Sequence, residues 1–65
     1  MNLFLNGQKR EVEAGTVTDL INELGLTPEA VLVERNGTAL LRSEWPQTPL
    51  ADDDRLEVLR VAAGG

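Results

Sequence analysis

The sequence predicts a small α+β domain in which one short helix packs on one face of a mixed β-sheet. Three observations support this fold class: an Asn-Gly turn near the amino terminus, a single stretch with helical periodicity, and several strand-like stretches after it. The predicted order of elements is β-β-α-β-β-β. A hairpin followed by one helix and further strands is typical of α+β domains whose helix covers one sheet face.

The first two predicted strands form a hairpin around Asn6-Gly7. Leu3 to Leu5 is apolar, and an Asn-Gly pair readily adopts the positive φ angles of a tight turn. The second strand, about Lys9 to Glu13, is rich in charged residues. We therefore expect it at an edge of the sheet, where charges oppose unwanted strand pairing.

One helix is predicted after this hairpin, with Thr16 as its N-cap and Gly25 as its end. Asp19 lies three residues after Thr16, a spacing similar to that of a capping box, and Gly25 can adopt the left-handed conformation that ends a helix. Apolar residues at helical spacing are expected to pack against the sheet: Val17, Leu20, Ile21 and Leu24.

Three further strands are predicted: Ala30 to Arg35, Thr38 to Leu41 and Arg55 to Arg60. A second Asn-Gly pair, Asn36-Gly37, joins the first two of them as a hairpin. The stretch 51–54 is expected to be a solvated turn, because the side chains of adjacent aspartates diverge and make a poor metal site.

Residues 42–50 contain two prolines and are expected to be irregular. Ser43 to Trp45 is predicted to form one helical turn that Pro46 ends. Trp45 is expected to be a partly buried cover for one end of the core, and the alternative is an anchor for a partner.

The composition limits the classes of function. The chain has 65 residues, a net charge of −5, no cysteine and no histidine. The charge disfavours nucleic-acid binding, and we expect neither a membrane segment nor a metal site. The absence of cysteine favours a cytoplasmic protein, and an independent enzyme is not expected without an imidazole or a thiol.

After the last predicted strand come only small, uncharged residues. We expect residues 1–61 to form the domain and residues 62–65, Ala62-Ala63-Gly64-Gly65, to form a flexible tail. Gly64 and Gly65 have no Cβ atom and could enter a narrow slot on another protein. The alternative is a frayed terminus without a function.

Six segments carry a family resemblance: Phe4-Leu5-Asn6-Gly7, Gly15-Thr16-Val17, residues 31–37, Arg42-Ser43-Glu44-Trp45, residues 52–57 and Gly64-Gly65. In these segments the chain resembles the small bacterial sulfur carriers of the thiamine pathway (ThiS-type), within the ubiquitin-like β-grasp family. The resemblance covers nearly the whole chain, although Glu34 and Arg35 stand where members tend to be small and apolar.

The resemblance implies a mixed sheet of four to five strands in which the first and last strands are parallel neighbours and the third lies beside the last. By alternation, Phe4, Leu32 and Leu59 would share the uncovered face and dock partners. Scattered surface apolar residues are the alternative. The residues that would face the helix are Leu3, Leu5, Val31, Val33, Leu56 and Val58.

The resemblance also implies the chemistry. An ATP-dependent adenylating enzyme (E1-like, ThiF-type) would activate the carboxylate of Gly65, and a desulfurase system would supply sulfur for a thiocarboxylate. A thiazole synthase (ThiG-type) would receive that sulfur. The chain would bind no stable cofactor, and Ala62, Ala63 and Gly64 would give partners access to the carboxylate. Arg60, just before these residues, would meet an acidic partner, and the alternative is a charge that only solvates the end of the strand.

Other functions remain open from the sequence. A carrier for molybdopterin synthesis or tRNA thiolation would share the fold and tail. A ubiquitin-like modifier would join Gly65 to lysine amines of other proteins, and a plain binding module would not use its glycines at all.

Overall fold

The computed structural model describes residues 1–61 and shows a five-stranded mixed sheet with one α-helix. The strand order is β2-β1-β5-β3-β4. β1 and β5 are parallel, and the other neighbours are antiparallel. This arrangement confirms the predicted fold class and strand neighbours. The strands are β1 (Asn2–Leu5), β2 (Gln8–Glu11), β3 (Val31–Arg35), β4 (Thr38–Leu40) and β5 (Arg55–Arg60), and the helix is α1 (Val17–Glu23).

Both hairpins turn at Asn-Gly pairs, as predicted. Asn6 and Gly7 have φ angles of 50° and 83°, and Asn36 and Gly37 have 51° and 85°. Two consecutive positive φ angles define a type I′ turn, whose twist matches that of the flanking strands. β2 is fully exposed at the sheet edge, and it ends at Glu11, two residues earlier than expected.

The helix begins and ends as the sequence indicates. The Asp19 N–H donates to Thr16 Oγ1 at 3.2 Å, and Gly25 has a φ of 71° just after the helix. Leu24, the C-cap residue, is half-buried and packs against the core. No helix within residues 1–61 is long and apolar enough to cross a membrane.

The core lies between α1 and the covered sheet face. Leu5 is partly buried against this core, and the other five residues expected to face the helix are buried. Val12 and Ala14, which follow β2, are buried too. Their burial was not predicted, because most of the residues around them in the sequence are charged. The buried apolar residues are Leu3, Val12, Ala14, Val17, Leu20, Ile21, Val31, Val33, Trp45, Leu50, Leu56 and Val58.

The stretch around Trp45 is more regular than predicted. A 3-10 helix spans Arg42–Gln47 and includes Pro46, so the prediction that Pro46 ends the turn is wrong. Proline is tolerated because the flanking turns are closed by the N–H groups of Glu44 and Thr48. Trp45 is 2% exposed, a core residue and not a partial cover, and its Nε1 has no hydrogen-bond partner within the described chain.

Asp54 departs most from the expected solvated turn, because it is buried and accepts three hydrogen bonds. Its Oδ2 accepts from Arg35 Nε at 2.8 Å and from the Ala51 N–H at 2.9 Å, and its Oδ1 accepts from Asn36 Nδ2 at 3.1 Å. Burial opposes ionisation, but the three hydrogen bonds outweigh it, led by that from Arg35, so the pKa of Asp54 lies below its ordinary value.

Asp54→Asn should lower the free energy of unfolding at pH 7 by about 2 kcal/mol. The substitution removes hydrogen bonds to a buried charge and places an NH₂ group, itself a donor, opposite other hydrogen-bond donors. The folded pKa of Asp54 is below the unfolded value of about 3.9, so its contribution is complete above that value and is lost as pH falls through the folded pKa. Urea unfolding at pH 7 and at about pH 3 measures both effects.

Asp53→Asn is the matched control. Asp53 is exposed, and its φ of 68° suits asparagine equally well. Equal losses in the two variants, or an unchanged acid dependence of stability in Asp54→Asn, would contradict the assigned role of Asp54.

Candidate functional site

The central strand β5 leads directly to the carboxyl-terminal residues. Beyond Arg60, its last residue, the Val61 N–H donates to the Ala30 carbonyl at 2.8 Å and extends the pairing with β3 by one step. The predicted reactive residue Gly65 and the predicted access residues Ala62, Ala63 and Gly64 lie outside the described residues. The described part of the chain therefore shows only where residues 62–65 begin, which is at the end of β5 beside β3.

An apolar patch occupies the uncovered sheet face beside this point. Leu32 and Leu59 are direct cross-strand neighbours on β3 and β5 and are 59% and 53% exposed. Leu41 and Val61 lie on the same side by strand alternation, and both side chains are exposed. We call these four residues the apolar patch. A group of exposed apolar side chains on one sheet face is typical of an interaction surface.

Acidic residues border the apolar patch. On the uncovered face, the cross-strand pair that follows Leu32 and Leu59 is Glu34 and Glu57, and both side chains are exposed. Like charges directly opposite each other are unfavourable in a sheet. Within residues 1–61 the one salt bridge is that of Arg35 with Asp54, so neither glutamate forms one there, although Arg55 lines the same hollow as both. A surface with leucines beside two carboxylates complements a partner that is apolar with a basic rim.

Phe4 shares the uncovered face but lies apart from the apolar patch. It is level with Arg55 in the parallel β1–β5 pairing, four residues before Leu59 on β5. At about 3.3 Å per residue, this places it roughly 13 Å along the strand from Leu59. Phe4 is half-buried beside its β2 neighbour Lys9. Phe4 therefore does not form a single cluster with Leu32 and Leu59, as was expected. The sequence could not show this separation, because the register of a parallel pair cannot be derived from either strand alone.

Arg60 lies on the opposite side of the sheet from the apolar patch. It is the cross-strand neighbour of the buried Val31, and its side chain therefore belongs to the helix side. There it lines a groove together with Arg10, between the end of β5 and the loop after α1. The sequence suggested Arg60 as a docking residue but gave no sign of Arg10 as its neighbour, because the two are 50 positions apart in the sequence.

Leu41 and Val61 are surface residues that the sequence did not single out. Leu41 was expected to be the last residue of a strand, and Val61 the last residue of the domain. Extending the alternation of Leu59 by two residues would have found Val61, but Leu41 required the register of β4 on β3.

The sheet order, the single covering helix and the exposed end of the central strand define a ubiquitin-like β-grasp domain. Comparison with known proteins identifies the branch: the chain matches the ThiS family over residues 3–65. It belongs to that family, which confirms the resemblance seen in the sequence.

Three relatives illustrate the match. The sulfur carrier protein ThiS of Thermus thermophilus is 36% identical over 63 residues, which cover 97% of this chain and 98% of that protein. A crystal structure of the thiamine biosynthesis protein ThiS from Geobacter metallireducens is 38% identical, covers both chains completely and has a TM-score of 0.83.

The third relative is much longer. A thiazole synthase of Magnetococcus marinus is 39% identical over 66 residues, which cover all of this chain and 20% of that protein. The chain thus spans about a fifth of the length of that relative, and a second thiazole synthase, from Paramagnetospirillum magneticum, gives the same share of 20%.

Leu59→Glu should leave the domain folded, because the Leu59 side chain is exposed. We expect its free energy of unfolding to fall by about 1 kcal/mol or less, whereas Leu56→Ala, in the same strand but 1% exposed, should lose about 2–5 kcal/mol. Urea denaturation of both variants measures the difference. Equal losses would mean that the apolar patch is part of the core and not a free surface.

Proposed function

We propose that this protein is a sulfur carrier of thiamine biosynthesis and that Gly65 is the residue that carries the sulfur. The observation that carries the proposal is the ThiS family match, which extends through the last two glycines. The fold supports it, because β5 is held on both sides and leads straight to residues 62–65. In this role the chain is a co-substrate, and its partners perform the catalysis.

The proposed chemistry needs a free carboxylate at Gly65. An adenylating partner transfers AMP from ATP to that carboxylate and releases pyrophosphate, which gives the acyl group a good leaving group. Sulfur at the oxidation level of sulfide then attacks the carbonyl carbon. A C–S bond forms, the C–O bond to AMP breaks, and loss of the sulfur-bound proton leaves a thiocarboxylate. A persulfide donor from a desulfurase system would additionally require reduction of the resulting acyl disulfide by a thiol.

The residues before Gly65 suit this chemistry. Ala62, Ala63 and Gly64 carry either a methyl group or no side chain, so they present a thin chain to a partner's cleft. None of them carries a charge that would repel the phosphates of ATP. A thin segment offers little binding area, so the folded domain must supply most of the docking energy.

The apolar patch is the best-placed surface for that docking. It lies beside the end of β5, and its leucines and adjacent glutamates would fit an apolar partner surface with basic residues around it. We propose that the adenylating enzyme docks here. Phe4, roughly 13 Å further along the sheet, contributes to a separate contact or none.

Thiazole synthase is the proposed acceptor of the sulfur. Two of the similar proteins carry that name and match this chain over a fifth of their own length. A carrier related to part of a thiazole synthase is a natural donor to such an enzyme. This observation favours the thiamine pathway over molybdopterin synthesis and tRNA thiolation.

Intact-mass analysis of the protein purified from its own cell tests the carrier chemistry. We expect a fraction in which one oxygen of the terminal carboxylate is replaced by sulfur, and fragmentation should place the mass change at Gly65. The same measurement verifies that Gly65 is the terminal residue. A variant that lacks Gly64 and Gly65 is the control and should show no sulfur-containing species.

Other outcomes of this experiment would contradict the proposal. Lysine conjugates without a thiocarboxylate would indicate a protein modifier. Neither species, with cellular function retained by the variant without Gly64 and Gly65, would indicate a binding module.

Charge introduction into the apolar patch tests the docking surface. Leu59→Glu should reduce kcat/KM for adenylation by about tenfold or more, because it puts a carboxylate at the centre of the contact. Phe4→Glu should have a much smaller effect. The measurement is ATP–pyrophosphate exchange catalysed by the adenylating enzyme at varied carrier concentration.

Gln8→Glu is the matched control, because it adds the same charge at the exposed edge strand β2. All variants should keep a cooperative thermal transition. Exchange rates that stay equal to the wild type in Leu59→Glu would refute the assignment, and so would an equal loss in Gln8→Glu.

A further inference from the structure

The helix side of the domain has a groove that the carrier chemistry at Gly65 does not require. It lies between the end of β5 and the loop that follows α1. Its apolar lining includes Leu5, Leu24 and Leu26, all half-buried, and its polar lining includes the side chains of Arg10 and Arg60. Both arginines are exposed, and neither takes part in a salt bridge within residues 1–61.

The backbone of β5 is unpaired where it borders this groove. Residues 55, 57, 59 and 61 bond to β3, as shown by the Val61 N–H donating to the Ala30 carbonyl. The even-numbered residues of β5 therefore present their backbone groups toward β1. β1 meets them as far as Leu56, whose carbonyl accepts from the Asn6 N–H at 2.9 Å.

The Asn6 side chain extends this pairing by one further residue. Its Nδ2 donates to the Val58 carbonyl at 3.2 Å, and its Oδ1 accepts from the Val58 N–H at 2.8 Å. The next even-numbered residue is Arg60, and residues 1–61 supply no partner for its N–H or carbonyl on this side. The sheet therefore has a short internal gap beside its central strand.

We propose that this gap and groove bind an extended acidic segment of a partner protein, which adds a short strand in line with β1. The segment would exchange backbone hydrogen bonds with Arg60. Because residues at i and i+2 of a strand point to the same side, an apolar side chain flanked two residues away by carboxylates matches the groove. The apolar side chain would contact Leu5, Leu24 and Leu26, and the carboxylates would meet Arg10 and Arg60.

Charge complementarity identifies this occupant. The protein carries 11 acidic and 6 basic residues, yet the groove holds two of the six basic residues and its lining contains no acidic one. A local positive site on an acidic protein favours an anionic ligand and rejects cationic segments. The uncompensated backbone at Arg60 favours a strand over a compact anion, because only an extended backbone satisfies both the N–H and the carbonyl.

This surface is distinct from the apolar patch, since it lies on the opposite face of the sheet. It does not rest on thiocarboxylate formation, because neither the gap nor the groove involves Gly65. A partner that uses it would hold the protein close to residues 62–65 and leave Leu32 and Leu59 free for another partner.

A synthetic peptide tests the proposal directly. The probe is acetyl-Thr-Glu-Thr-Leu-Thr-Glu-Thr-amide, titrated into the full-length ¹⁵N-labelled protein and followed by NMR. We expect concentration-dependent amide shifts at Arg10, Leu26, Val58 and Arg60, and slower hydrogen exchange of the Arg60 N–H as it gains a partner. The same peptide with glutamine in place of glutamate should bind about tenfold more weakly or not at all.

Variants separate this site from general electrostatics. Combined Arg10→Glu and Arg60→Glu should weaken binding by about tenfold or more, whereas Arg42→Glu, an exposed arginine of the 3-10 helix, should change it less than about twofold. Three results would overturn the proposal: no shifts at the groove, shifts confined to the apolar patch, or equal weakening by Arg42→Glu.

Discussion

The arrangement of this domain depends on a central strand that is the last strand in the sequence. β5 pairs with β1 on one side and β3 on the other, so neither half of the sheet is complete until it is in place. Asp54, the residue before it, fixes its entry: the carboxylate binds Arg35 and Asn36 of the neighbouring hairpin, and the Asp54 carbonyl accepts from the Phe4 N–H at 2.8 Å. Asp54 thus contacts the neighbours of the central strand on both sides, the β3–β4 hairpin through its carboxylate and β1 through its backbone carbonyl.

The position of β5 relates the end of the central strand to two different surfaces of the domain. β5 ends at one end of the sheet, and residues 62–65 continue from there. The apolar patch around Leu32 and Leu59 lies on one face, and the groove beside Arg60 lies on the other. Under the proposed function, these two surfaces would let different partners bind from either side of the sheet.

Much of the fold could be predicted from the sequence because it is encoded locally. The Asn-Gly turns, the Thr16 cap and the helical spacing depend on neighbours within a few residues. The burial of Asp54 could not be predicted, because its partners are contributed by a distant hairpin. The separation of Phe4 from Leu59 and the proximity of Arg10 to Arg60 also depend on registers between distant strands. For the candidate site, alternation along each strand could place Leu32 and Leu59 on the uncovered face, but it could not give the registers that decide which side chains are neighbours.

The two turn asparagines have a consequence for the chemical ageing of the protein. Asn-Gly sequences are prone to spontaneous deamidation, because glycine hinders cyclisation least, and here each side-chain amide has a structural task. At Asn36 the product would be a second carboxylate where an amide nitrogen now stands 3.1 Å from Asp54 Oδ1. At Asn6 the donor to the Val58 carbonyl would disappear. Slow hydrolysis at either hairpin would thus loosen the central strand close to the point where residues 62–65 begin.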